Sequence, residues 1–110
     1  MTNNSPNQPV KPMAQNLLQK LEAVTDEASL VEFISALAAD REDEVAKEKL
    51  HPSSPCGRGV NGWENITIES FLEAASAWAE DSRNGLSAFP KEQNPWRRCA
   101  AILYAGKTYE

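Results

Sequence analysis

Pro52, Pro55, Gly57, Gly59 and Gly62 crowd one short stretch of this chain, between His51 and Ile66. Proline lacks a backbone donor and glycine weakens both helix and strand, so residues 51–66 are expected to form one long loop. On both sides of it apolar residues recur at helical spacing, and strand-like alternation is limited to Ile66-Thr67-Ile68. The chain therefore has to bring two helical halves together across an irregular connection. A connection of this length in a small domain is often functional.

Before the loop, Leu17, Leu21 and Val24 stand at i, i+4 and i+7, which predicts a first helix from Met13 to Thr25-Asp26. Ser29-Leu30-Val31-Glu32 has the spacing of a capping box for a second helix. Its stripe begins with Leu30, Phe33, Ile34 and Leu37 and continues as Arg41, Glu44 and Glu48. The helix thus either stops near Asp40 or runs on to about Lys49 as a solvated projection. Asp43 and Lys47, one turn apart in the favourable order, support the longer helix.

After the loop, Thr67 is suited to cap a third helix, with Ile66 and Phe71 at the hydrophobic-staple positions. Ile68, Phe71, Leu72, Ala75, Trp78 and Ala79 form its expected apolar stripe, and Asn84-Gly85 its stop. Asn94 followed by Pro95 marks the start of a fourth helix, since proline at the first helical position loses nothing. Trp96, Cys99, Ala100 and Leu103 are expected to face inward, Arg98 and Ala105 outward. Gly106 is expected to fray the end and free Tyr109 to fold back. The fold class is all-α: a small bundle of about four helices spanning 13–110, with the Pro/Gly-rich loop between helices two and three. Residues 1–12 are polar and proline-containing and are expected to be a disordered tail.

The formal net charge is −5, with the acids concentrated before Arg83 and the last segment basic. Nucleic-acid binding needs clustered Lys and Arg, so no nucleic-acid partner is expected. No apolar run approaches the roughly 20 residues of a membrane span, and Met1–Pro12 has no basic start leading into an apolar stretch, so a cytoplasmic location is expected. Cys56 and Cys99 are too few for a disulfide scaffold.

The scan for chemistry is largely negative. His51 is the one histidine, and with Cys56 it forms no recognisable zinc set and no oriented nucleophile–base pair. Glu69, Glu73 and Glu80 lack an accompanying Glu-x-x-His and read as a solvated face. Gly57-x-Gly59-x-x-Gly62 has dinucleotide-loop spacing but follows no strand and opens no helix. No cofactor, metal or catalytic residue is expected.

What capping and packing leave over is the loop end. Trp63 would pack over the third helix, and Asn65 would brace the loop through hydrogen bonds to backbone. Alternatively Trp63, Glu64 and Asn65, with Arg58, Trp96 and Arg97, form an interaction surface, since Trp and Arg are favoured interface anchors.

Gly62-Trp63-Glu64-Asn65-Ile66-Thr67-Ile68-Glu69-Ser70-Phe71-Leu72-Glu73-Ala74, then Trp78-Ala79-Glu80-Asp81, Asn94-Pro95-Trp96-Arg97 and Ala101 to Glu110, resemble a family of small uncharacterised bacterial domains over residues 28–110. The resemblance implies a compact domain and transfers no site. The expected function is a non-enzymatic protein-interaction module, monomeric or weakly dimeric, with an unknown protein partner. The alternatives are an immunity-type inhibitor of a basic toxin, motivated by the acidic segments Asp40–Glu48 and Glu69–Glu80, and a small enzyme using Cys56, His51 or the glutamates. Trp78→Ala or Phe71→Ala is expected to cost roughly 3–5 kcal/mol.

Overall fold

The computed structural model describes residues 13–52, 59–83 and 94–110. The expected tail at 1–12, the Asn84-Gly85 stop, and Cys56, Gly57 and Arg58 lie outside the described residues. Four helices follow one another: α1 (Met13–Glu22), α2 (Glu27–Leu50), α3 (Ile68–Arg83) and α4 (Pro95–Gly106). No strand occurs among the described residues, and Ile66-Thr67-Ile68 leads straight into α3.

Local chemistry accounts for most helix starts. Asn94 Oδ1 accepts from the backbone N–H groups of Trp96 and Arg97 at 2.9 and 3.2 Å, and Pro95 occupies the first turn of α4. Thr67 Oγ1 accepts from the Ser70 amide at 3.1 Å, as expected of the α3 cap. At α2 the capping residue differs from expectation. Asp26, not Ser29, is the cap, and Ser29 closes the box from the third helical position. Asp26 takes this place because α1 already ends at Glu22, short of Thr25-Asp26. The Asp26 carboxyl is held below its usual pKa by the Ser29 amide and then by the Ser29 hydroxyl.

α2 runs unbroken to Leu50, with the Lys47–Asp43 pair at 2.8 Å on its surface. Its far half is not a solvated projection. Asp40 and Glu44 are 0% and 1% exposed and continue the inward line of Phe33 and Leu37. The charges are buried because the loop and the end of α4 supply partners for them.

α4 is the hub. It packs on α1, α2 and α3, α1 also packs on α2, and among the described residues α2 and α3 do not pack on each other directly. The core is built from Leu17, Val24, Phe33, Leu37, Trp63 and Ala100. Contact with three helices leaves most residues of α4 half-buried, so the two-faced reading of that helix fails in detail. Trp96 and Cys99 are exposed rather than inward. Arg98 points to α3, where it donates to Ala79 O and Ser82 Oγ at 2.9 Å each and lies 5.0 Å from the Trp78 ring centre. Gly106 does not fray. It is buried, and a Cβ there would sit 2.8 Å from Phe71 Cε1 and 2.9 Å from Phe71 O. Only glycine lets α4 approach α3 this closely. Tyr109 does fold back, its hydroxyl donating to Asp81.

Among the described residues α3 meets one helix only, and one partner covers a narrower arc than the expected stripe. Ala74, Ala75 and Ser82 are buried, Phe71, Trp78 and Ala79 half-buried, while Ile68 and Leu72 at the stripe's edge are 78% and 55% exposed.

Candidate functional site

The loop end is fastened to α2 and α4 by a buried polar network. The Trp63 indole N–H donates to Asp40 Oδ2 at 2.8 Å. Lys107 Nζ donates to the same oxygen at 2.8 Å, from a side chain only 5% exposed. Arg41 and Lys107 lie 5.9 and 5.6 Å from the indole ring centre, within cation–π range. One turn along α2, Glu44 Oε1 accepts from the amides of Asn61 and Trp63 at 2.8 and 3.2 Å, and Glu44 Oε2 pairs with Arg41 at 2.8 Å. Glu48 accepts from the Val60 amide at 2.8 Å. The Asn61 side chain donates to Asp40 O and Asp43 Oδ2 at 3.0 Å. The Asn61 amide and then Lys47 hold the Asp43 carboxyl below its usual pKa. Asp40 and Glu44 therefore satisfy the Trp63 N–H groups, which would otherwise be costly to bury, and Asp43 and Glu48 hold Asn61 and Val60 nearer the surface.

Gly59 and Gly62 serve this arrangement. A Cβ on Gly59 would fall 2.2 Å from the Glu44 carboxylate, and Gly62 adopts φ +91°. Gly59 and Gly62, two of the glycines whose spacing resembles a dinucleotide loop, thus let the loop backbone close on an internal carboxylate.

Asn65 braces the loop as expected, its side-chain amide donating to Gly106 O and Tyr109 O at 3.0 Å each. The backbone amides of Glu64 and Asn65 both donate to Lys107 O, at 3.1 and 3.2 Å. Trp63 packs toward α3, 6.0 Å from the Phe71 ring centre. At 6% exposure it is not an open anchor. Burial, and then the Asp40 carboxylate, raises the pKa of the Tyr104 phenol, which lines the same core.

The six residues expected to share one surface do not all meet. Trp63, Glu64 and Asn65 lie at the C-terminal end of α4, where they contact Lys107 and Gly106. Trp96 and Arg97 lie in its first turn, roughly 15 Å away along the axis at 1.5 Å per residue. There Asn94 reaches Thr25 O beside α1 at 3.3 Å. Trp96 is 39% exposed and Arg97 half-buried. Arg58 lies outside the described residues. His51 is exposed at the end of α2, and Glu69, Glu73 and Glu80 are exposed on α3. Of the acidic segment Asp40–Glu48, Asp40 and Glu44 point inward and offer no charge to a partner.

What the network positions is a groove of about 310 Å³ between α2 and the segment entering α3. Leu37, Trp63 and Phe71 stand along it, with Ile34 and Ala38 on the α2 side and Ile66 and Ile68 on the other. It exists because α2 and α3 are held apart and the loop spans the gap. Asn65 and Trp63, expected at a surface, contribute to its walls, while Ile34 and Ile68 read in sequence as core stripe. Asp40 and Glu44 continue the register of Phe33 and Leu37, but no local pattern supplies the partners that let their charges be buried.

No helix among the described residues is long and apolar enough to cross a membrane. No curated protein matches the chain. No solved structure matches it. A family model matches residues 25–110, from the α2 cap through the fourth helix, and the chain therefore belongs to a family of unknown function, DUF7660.

Proposed function

We propose that the protein works without catalysis, as a protein-interaction module whose docking face is the groove between α2 and residues 65–71. One observation carries this reading. Ile34, Ile66 and Ile68, exposed by 43%, 60% and 78%, edge a single groove whose walls are fixed by buried hydrogen bonds and an ion pair. Contiguous exposed apolar side chains on a rigid base suit a docking site better than a solvated surface. Arg41, Asn65 and Thr67 supply the few polar groups that would orient an occupant. The formal charge of −5 favours protein over nucleic acid as the occupant.

The test is site-specific photo-cross-linking in cells. A photoreactive residue at position 34 or 68 should capture protein, and one at exposed Ala23, in the turn after α1, should not. Ile68→Asp should abolish capture at position 34 while leaving the melting temperature unchanged, because Ile68 buries little surface. Equal capture from positions 23, 34 and 68 would end the proposal.

A further inference from the structure

α2 carries a second apolar line beside the buried one. Successive residues of a helix turn by about 100°, so Val31, Ile34, Ala38, Arg41 and Val45 share one face with Glu27 and Lys49 near its two ends. Val31, Ile34 and Val45 are 53%, 43% and 38% exposed, and Ala38, Glu27 and Lys49 are exposed too. Ile34, Ala38 and Arg41 belong to the groove wall, so the line and the groove are one continuous surface.

This face is complementary to its own antiparallel copy. A two-fold axis through Ala38 sets residue 27 against 49, 31 against 45, and 38 against itself. Glu27 then meets the partner's Lys49, Val31 meets Val45, and each of these contacts occurs twice, as an isologous interface requires. The smallest side chain of the line lies on the axis, where two helices need to approach most closely. The face also escapes the net charge of −5. Glu27 and Lys49 balance, and Arg41 is already neutralised by Glu44 at 2.8 Å.

We infer that the occupant of this face is a second copy of the chain, docked through antiparallel packing of α2 about Ala38. The inference rests on the docking-face reading above and names its partner. One helix pair is a small interface, so the dimer is weak and forms at protein concentrations on the order of 100 μM.

The test uses the full chain in sedimentation equilibrium and oxidative cross-linking, with Cys56→Ser and Cys99→Ser in the background for the latter. Cysteines link only when their Cα atoms come within about 7 Å, so Ala38→Cys should form a disulfide dimer under mild oxidation. Ala39→Cys, also exposed but turned by about 100°, should not. Glu27→Lys and Lys49→Glu should each weaken self-association at least roughly fivefold, since each sets two like-charge pairs across the axis. An equimolar mixture of these two variants should recover it as a heterodimer, a result that damage to the fold would not produce. A chain monomeric at about ten times the expected concentration overturns the inference, as does equal cross-linking at 38 and 39 or a mixture no stronger than its components. If the chain is monomeric while position 34 captures another protein in cells, self-association fails and the interaction reading stands. Failure of both assays removes both.

Discussion

Asp40 and Trp63 are joined by a 2.8 Å hydrogen bond from the indole N–H to Oδ2, and both side chains are buried. Because Lys107 donates to the same oxygen, three segments of the chain meet at one atom. Removing the carboxylate strands a buried ammonium, so Asp40→Ala is expected to destabilise by about 3–5 kcal/mol. Trp63→Phe keeps an aromatic side chain but loses the indole N–H and the volume of the second ring, for roughly 2–4 kcal/mol. Because both act on one network, the double variant should cost less than the sum. Urea denaturation followed by circular dichroism measures all three, and full additivity would show that the network is not a unit.

Glu44 holds the loop through the Asn61 and Trp63 amides. Glu44→Ala should raise the hydrogen-exchange rates of those two amides far more than those of the Phe33 region. Gly59→Ala, whose Cβ would press on the Glu44 carboxylate, should produce the same local pattern. Unchanged protection at Asn61 in both variants would mean that the loop is held by other contacts.

Helix α4 meets α3 where Gly106 lies against Phe71. Gly106→Ala would force the two helices apart and is expected to cost about 1–3 kcal/mol by overpacking, despite alanine's higher helix propensity. A melting temperature at or above that of the parent would refute the close contact.

Phe33 is fully buried, so Phe33→Ala is expected to cost about 3–5 kcal/mol. Trp78 and Phe71 are half-buried, so their alanine variants should cost clearly less than the 3–5 kcal/mol expected from sequence. Paired thermal melts give the order, and Trp78→Ala exceeding Phe33→Ala would contradict the packing described.

Tyr109 donates to Asp81, and this bond, followed by burial and the carboxylate's charge, raises the phenol pKa above its usual 10.0. A raised folded-state pKa favours the protonated phenol, so its contribution to stability is complete below pH 10 and is lost as pH rises through the higher folded value. Comparing Tyr109→Phe with the parent should show a stability difference that is flat up to about pH 9 and shrinks in strong alkali. A difference that grows with alkalinity would reverse the assignment.

Much of the fold can be read locally. Four helices, the Asn94-Pro95 and Thr67 starts, the Asp43–Lys47 pair and the bracing role of Asn65 follow from spacing and side-chain chemistry within a few residues of one another or from Asn65's place in the loop. The same reasoning misplaced the α2 cap by three residues, because it did not allow for α1 ending at Glu22. It also assigned Ile68 and Leu72 to the core, because periodicity gives the direction of a stripe but not the width of its partner.

The interior of the second half of α2 was decided only by tertiary structure. Local pattern makes Asp40 and Glu44 a charged helix face, and a charged face belongs in water unless partners are delivered to it. Those partners come from Trp63, 23 positions from Asp40, and from Lys107, 67 positions away. Sequence periodicity and capping chemistry determined that the chain is helical and where α1, α3 and α4 begin. Which charges those helices bury, and therefore where the groove between α2 and α3 lies, depended on contacts between segments that no local stretch contains.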